Sequence, residues 1–550
     1  MGTVGLTEAE TDRRIRQRRT GSVSGKESGM KDMKFEFEQG EVWWGGTSAN
    51  SRYPLGVSDR WTEDLITAST SPSNQAMPLY LSSHGRILWG KEPFRVTFGD
   101  GMIRTEGGEA ELSRGGDTLR EAFLSAQAAH FPCDGRELPE DFFRHPQLNT
   151  WMEFTYDVDQ RCVMDFARQW LENGYEPGIF IIDGGWQKRY GTWAFDPARF
   201  PDPRGMVRQL HTMGFRVLLW IVPYVSADGP EYVRSLLPVP GSDPEAARHL
   251  YVRTDRGEVG IFSWWDGYSA LLDMRDGYNR DFLNRQLTSL TEEVGIDGFK
   301  FDGGSVIGYS RASLKNGDLP PGVTPHALNL AWNEFGSACE WHEYKDTYGR
   351  GGRNTIQRLR DKWHRWDGDG LGALIPCAVN AGLMGYPFIC PDMIGGGEWR
   401  IRHETDFRVD EELFVRMAQC SALFPMMQFS WAPWRALSPE NARLCLEAAR
   451  LREKLVSEIL KVVRASRVTG EPVIRALEYE CPRQGLEGVR DEFMVGRDLL
   501  VAPVVEKGAE ARHVCFPAGR WRGADGRVYE GLTVHRVSAP LDTLPWFARV

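Results

Sequence analysis

Aspartates stand where several apolar runs of this chain stop. Asp302 closes Ile296-Asp-Gly-Phe-Lys-Phe301 and is followed by Gly303-Gly304, which leaves its carboxylate uncovered. Asp183 closes Gly178-Ile-Phe-Ile-Ile182, Asp392 follows Tyr386-Pro-Phe-Ile-Cys390, and Asp367 and Asp369 lie in the loop Trp366–Gly370. An apolar run closed by glycine reads as a buried strand that ends abruptly. An Asp before Gly-Gly alone is equally a turn residue. Several such acids at one end of a parallel barrel are a different matter, because that end is where chemistry is placed. Cleaving a glycoside needs one carboxylate as nucleophile and one protonated carboxyl as acid. Repulsion and burial can hold their pKa values apart. Trp151, Trp186, Trp220, Trp264 and Trp265 lie close to these acids in sequence, and large aromatics serve both as core and as flat faces for sugar rings. The same acids could cage magnesium or calcium. His326, His342, His364 and His403 lack the spacing of a zinc site. The expectation is a site without metal or cofactor.

Such acids need rigid supports. From Lys34 to Phe131 short strand-like runs are broken by Gly, Asp, Ser and Pro, which predicts an antiparallel β-sandwich. After Asn149, strands alternate with amphipathic helices: Thr150–Phe154 then Val163–Asn173, Gly178–Asp183 then Met206–Met213, Phe215–Pro223, and Asn279–Glu293 leading to Asp302. Further strands are expected at Thr355–Arg358, Leu374–Pro376, Tyr386–Cys390 and Leu423–Phe429, with a long closing helix over Leu444–Val463. With no Gly-rich phosphate loop after the first strand, this alternation predicts an α/β fold, a (β/α)8 TIM barrel rather than an open sheet. The expected organisation is a disordered leader (1–33), an N-terminal β-sandwich (34–140), the barrel (141–470) and a C-terminal β-domain (471–550).

A chain of 550 residues is too long for one compact core. A net charge of −10 and no basic stripe speak against nucleic acid. Arg13–Arg19 is basic, but it sits in the polar leader. No apolar run reaches the length of a membrane span, and no secretory signal is recognisable, so a cytoplasmic location is expected. Nine scattered cysteines suit reduced thiols. The expected partner is a carbohydrate, with no nucleic acid or membrane; a homo-oligomer is left open.

Residues Asn149–Trp434 resemble glycoside hydrolase family 31, retaining α-glycosidases with a (β/α)8 barrel between β-domains, and the likeness extends to both flanks. It implies that Asp302, in Phe-Lys-Phe-Asp, is the nucleophile. Trp366-Asp-Gly-Asp369 resembles the family's Trp-x-Gly-Asp element and implies Asp369 as acid/base. Cys390-Pro-Asp-Met-Ile-Gly-Gly396 and Ile182-Asp183-Gly-Gly-Trp186 imply that Asp392 and Asp183 bind sugar hydroxyls; Trp186 and Trp265 are candidate sugar platforms, with core packing the alternative for both. Arg358 or Arg360 supplies the sugar-binding arginine on the fifth strand; the alternative for each is a surface or structural arginine paired with Asp361. The nucleophile is followed by Gly-Gly-Ser305 where α-glucosidases of the family have Met-Asn-Glu. Gln428-Phe-Ser430 stands where many members place a histidine, which makes Ser430 a substrate-binding candidate. Lys300 is similar to the hydroxyl-binding lysine of α-xylosidases and α-galactosidases. The implied activity is exo-hydrolysis of an α-glucoside, α-galactoside or α-xyloside by double displacement. The alternatives are transglycosylation with the same residues and sugar binding with little catalysis. A retaining pair lies ~5–5.5 Å apart, so Asp302 and Asp369 are expected to share one cavity.

Overall fold

A computed structural model describes residues 32–69, 74–230, 232–233 and 250–550. Residues 1–31, with the basic Arg13–Arg19, lie outside the described residues.

Eight short parallel strands form the central sheet. In order they are Gln147–Asn149, Ile179–Ile182, Arg216–Ile221, Gly298–Phe301, His342–Tyr344, Gln357–Arg358, a seventh strand in two halves (Ile389–Cys390 and Met393–Ile394), and Gln428–Phe429. The first half of strand seven pairs with strand six and the second half with strand eight. Strand eight pairs with strand one, so the barrel closes across Pro391-Asp392. The second strand, Ile-Phe-Ile-Ile, is fully buried on both faces. That is the signature of a parallel strand between helices and its own barrel interior, with about 1.5–3 kcal/mol of stabilisation for each large apolar side chain buried.

The helices start where capping chemistry directs. Asp159 and Asp202 accept hydrogen bonds from Cys162 N and Gly205 N, and Thr324-Pro325 and Ser438-Pro439 place a cap before a proline in the first turn. The closing helix, Pro439–Thr469, ends on Gly470 at φ 70°, the left-handed conformation glycine adopts most easily. Its Arg452, fully buried, donates to the backbone carbonyls of Phe143, Ala422 and Phe424, anchoring the helix under strands one and eight.

Two antiparallel sheets precede the barrel, one of four strands and one built on Val42–Thr47, Gln75–Ser82, Arg86–Trp89 and Glu111–Arg114. A helix the sequence reading did not anticipate, Leu119–His130, completes this region. Thr347–Tyr348, just beyond the fifth barrel strand, adds in parallel to Gln75–Ala76, so the sandwich and the barrel share one β-structure. After the barrel comes a six-stranded antiparallel sheet with a separate two-stranded ribbon, Ala511–Phe516 and Thr533–Ser538. Arg416, on the barrel helix Glu411–Ala422, donates to carbonyls of Ala509, Ala539 and Thr543 and ties the C-terminal sheet to the barrel.

Two expected strands are helical instead. Leu374-Ile-Pro begins a helix, Leu374–Leu383, buried on every side; a short apolar run does not by periodicity distinguish a strand from a fully buried helix. Thr150–Phe154 is a helical turn just after the first strand, which ends at Asn149. The fifth strand is His342–Tyr344, a segment not anticipated, and Arg358 stands on the sixth.

Candidate active site

The carboxyl ends of the strands open into a cavity of about 430 Å3. Asp302 lies in its wall, 5% exposed. Its Oδ2 accepts from Trp220 Nε1 at 2.9 Å, and its Oδ1 accepts from Gly303 N at 2.8 Å. Trp332 Nε1 holds the Asp302 carbonyl at 3.1 Å. Gly303 has φ 71°, and a Cβ there would meet Val222 at 2.9 Å, so the tight turn that exposes the carboxylate suits glycine alone. Burial raises the pKa of Asp302, but Lys345, Lys300 and the Trp220 hydrogen bond outweigh it, and the net direction is down. Asp302 is therefore an ionised carboxylate held in a fixed orientation.

Around it lies a network of buried charges. Lys300 Nζ meets Asp183 Oδ2 at 2.5 Å, and Asn149 Nδ2 donates to the same oxygen at 3.0 Å. Lys345 Nζ meets Asp361 Oδ2 at 2.6 Å, and Arg358 Nη1 bridges Asp361 Oδ1 and Asp392 Oδ1, each at 2.8 Å. Burial raises the Asp361 pKa, but Lys345 and Arg358 drive it well below the usual carboxylate range. Asp183, Lys300, Asp302, Lys345, Arg358 and Asp361 all line the cavity. Aromatic walls come from Trp151, Tyr156, Tyr190, Trp220 and Trp399, and Trp265, 47% exposed, also lines it.

The remaining expected residues stand elsewhere. Asp369 does not line the cavity: its side chain is 58% exposed and pairs with Arg360 Nη2 at 2.8 Å. The loop carries it outward, and Arg360 goes with it. Asp392 sits behind Arg358, its second oxygen taken by Lys362 N and Gly397 N at 2.6 and 3.0 Å, so it braces the arginine rather than facing the cavity. Ser430 is fully buried, its Oγ accepting from Met152 N at 2.6 Å. Trp186 is also fully buried against Phe195 and gives its indole N–H to the Trp220 carbonyl at 2.8 Å. It supports the tryptophan that orients Asp302 and offers no face to a sugar. Trp186→Phe is expected to cost about 1–3 kcal/mol by leaving that carbonyl unpaired, read by chemical denaturation, with KM unchanged; a raised KM at full stability would restore the platform role.

Several cavity residues escaped sequence reasoning in that role, among them Asp361, noticed only as a partner for Arg358 or Arg360, and Lys345 and Asp346. The last two follow the fifth strand, whose His342-Glu-Tyr344 is fully buried yet polar. Glu343 Oε2 accepts from Gln428 Nε2 at 3.1 Å inside the barrel. The usable signal was Tyr344-Lys-Asp346, two opposite charges behind a tyrosine, which reads like any surface turn.

A sequence model of the glycosyl hydrolases family 31 TIM-barrel domain matches residues 146–461, and that of the family's C-terminal domain matches 470–550. This chain belongs to glycosyl hydrolase family 31. It is 31% identical over 423 residues to the myogenesis-regulating glycosidase of Mus musculus, a match covering 75% of this chain and 57% of the relative. It is 28% identical to alpha-glucosidase 2 of Bacillus thermoamyloliquefaciens, over 72% of this chain and 51% of that protein. The chain thus spans little more than half the length of these curated relatives. Among solved structures, a family 31 dextranase of Flavobacterium johnsoniae complexed with glucose superposes with a TM-score of 0.79 at 19% identity, covering 96% of this chain and 67% of that one. The family 31 architecture of barrel and C-terminal β-domain is therefore the one described above. Among the described residues no helix is long and apolar enough to cross a membrane.

Proposed function

We propose that this family 31 chain is a retaining exo-α-glycosidase with Asp302 as nucleophile and Asp361 as acid/base. The observation that carries the reading is that these two carboxylates line one cavity, Asp302 deep in its wall and Asp361 beside the rim. Asp361 has a side chain 22% exposed and lies close to Gly397, next to the rim residues Glu398, Trp399 and Arg400. An acid/base must meet the leaving group and the incoming water, and both pass the rim.

In the first step an Asp302 oxygen bonds to the anomeric carbon, the bond to the aglycone oxygen breaks, and that oxygen takes the proton of Asp361. In the second, Asp361 removes a proton from water, the hydroxide oxygen bonds to the anomeric carbon, and the Asp302 carboxylate leaves. Two inversions return the α configuration. Trp265, exposed at the cavity, fits an aglycone platform. The α linkage is supported by the relative named an alpha-glucosidase.

The test is nitrophenol release from aryl α-glucoside, α-galactoside and α-xyloside, with the first-formed sugar read by NMR. The expected result is turnover of one sugar with the α-anomer released first. First release of the β-anomer would overturn the double displacement. Added acceptor sugars separate hydrolysis from transglycosylation, since a transferase diverts the glycosyl group to the acceptor.

A further inference from the structure

We infer that Asp346, buried in the wall of the cavity, is a specificity residue that takes one hydroxyl of a neutral pyranose, with the Lys345 ammonium beside it. The inference rests on the glycosidase reading and names what the site selects.

Asp346 lines the cavity with its side chain buried, and its Oδ1 has no hydrogen-bond partner among the described residues. A buried acceptor without a donor is costly, so something must hold it in place. The backbone does. The Lys345 carbonyl accepts from Gln75 Nε2 at 2.9 Å, and the Asp346 carbonyl accepts from Asn333 Nδ2 at 3.1 Å. Thr347–Tyr348 is then paired to the N-terminal sheet. The segment is clamped between barrel and sandwich, so the carboxylate is presented rather than free to turn away.

The charged groups acting on it are Asp302 from strand four, its neighbour Lys345, and Asp361 and Arg358 from strand six. The phenols of Tyr224 and Tyr309 lie within their electrostatic reach. Burial first, then the charge of Asp302, push the Asp346 carboxyl up to about 7. At neutral pH it can therefore either accept from a hydroxyl or donate to one. Asp346 also borders a small hollow beside Asn74 and Tyr348.

The ligand is neutral because the cavity's cations are already engaged. Lys300 is paired with Asp183, Lys345 with Asp361, Arg358 with Asp361 and Asp392, and Arg400 with both oxygens of Glu398. A sugar carboxylate would meet Asp302 and Asp346 with no cation to spare. Lys345 has three donors, so pairing with Asp361 leaves it others for a hydroxyl.

Calorimetric titration of glucose, galactose and xylose into an Asp302→Asn background tests this without turnover. The tightest sugar and its mono-deoxy forms are then compared with and without Asp346→Ala. The expected result is a loss of about 10–100-fold in affinity for the parent sugar. One deoxy sugar should lose nothing further, so that the two deletions are non-additive. Losses that add for every deoxy sugar, or an unchanged affinity, would overturn the proposal, as would a uronic acid binding more tightly than its neutral parent. Asp346→Asn separates recognition from folding: with a folded pKa above the unfolded one, the carboxylate costs stability as pH rises from about 4 to about 7, so the amide variant should melt higher at pH 8. A lower melting temperature there marks a structural carboxylate and counts against the inference. Turnover of aryl glycosides alongside additive losses removes this proposal and keeps the glycosidase; no binding and no turnover removes both.

Discussion

Asp302→Asn is expected to lower kcat/KM on the preferred aryl α-glycoside by at least about 10⁴-fold, with affinity for the free sugar changed only a few-fold. The size follows from what the carboxylate does. Removing it deletes the atom that forms the covalent intermediate, and an amide oxygen is a poor nucleophile. Trp220 Nε1 and Gly303 N donate to different oxygens of the carboxylate, so the amide keeps an acceptor for one of them and the other loses its partner, at about 1–3 kcal/mol of stability. A carboxylate kept ionised by Lys345 and Lys300 also fixes the acid side of the pH profile. Its folded pKa is depressed, so both its reactivity and the stability it contributes are present above the unfolded value of about 3.9 and fade only as pH falls through the lower folded value. Asp302→Gly with added azide should yield the β-glycosyl azide, since one inversion replaces two. Retention of more than about one-hundredth of activity in Asp302→Asn, measured on enzyme freed of parental contamination, would sink the assignment, because general acid catalysis alone contributes about 10²–10⁴-fold.

The barrel, and the place of Asp302 at the end of its fourth strand, were legible because both depend on local rules. A buried apolar strand, an acid at its end and a Gly-Gly turn are all encoded within ten residues. The places of Asp183 just after strand two and of Lys300 within strand four were legible for the same reason, and their 2.5 Å pair links those strands across the barrel. The misplacements come from depth. Asp392, Ser430 and Trp186 do stand next to strand ends, but a strand end has a cavity side and a back side, and these three serve the back by holding Arg358, Met152 N and the Trp220 carbonyl. Spacing along the chain does not tell those sides apart in a loop. The fifth strand was hidden for a different reason: its His342-Glu-Tyr344 is polar, and its burial depends on Gln428, Lys300 and Arg358 arriving from three other strands. A residue that is buried only through distant partners leaves no periodic trace.

The second large effect separates two aspartates eight positions apart. Asp361→Asn is expected to slow an unactivated α-glycoside by about 10²–10⁴-fold while sparing formation of the glycosyl-enzyme from a dinitrophenyl glycoside, whose leaving group needs no proton. Azide should then restore turnover and give the α-glycosyl azide, the intermediate being attacked without a general base. Asp369→Asn should stay within about threefold, because an exposed pair such as Asp369–Arg360 contributes only about 0–1 kcal/mol. The reverse ordering would return the acid/base role to Asp369. The environment of Asp361 sharpens the test. An acid must carry its proton when the leaving oxygen departs, yet Lys345 and Arg358 hold this carboxyl low in the empty cavity. The profile of kcat/KM reports the free enzyme, so its basic limb should lie on the acid side of neutrality. Lys345→Met removes one of the two cations, raises the Asp361 pKa and should move that limb to higher pH. A limb that stays in place would mean that the proton donated to the leaving group does not come from the carboxyl Lys345 touches.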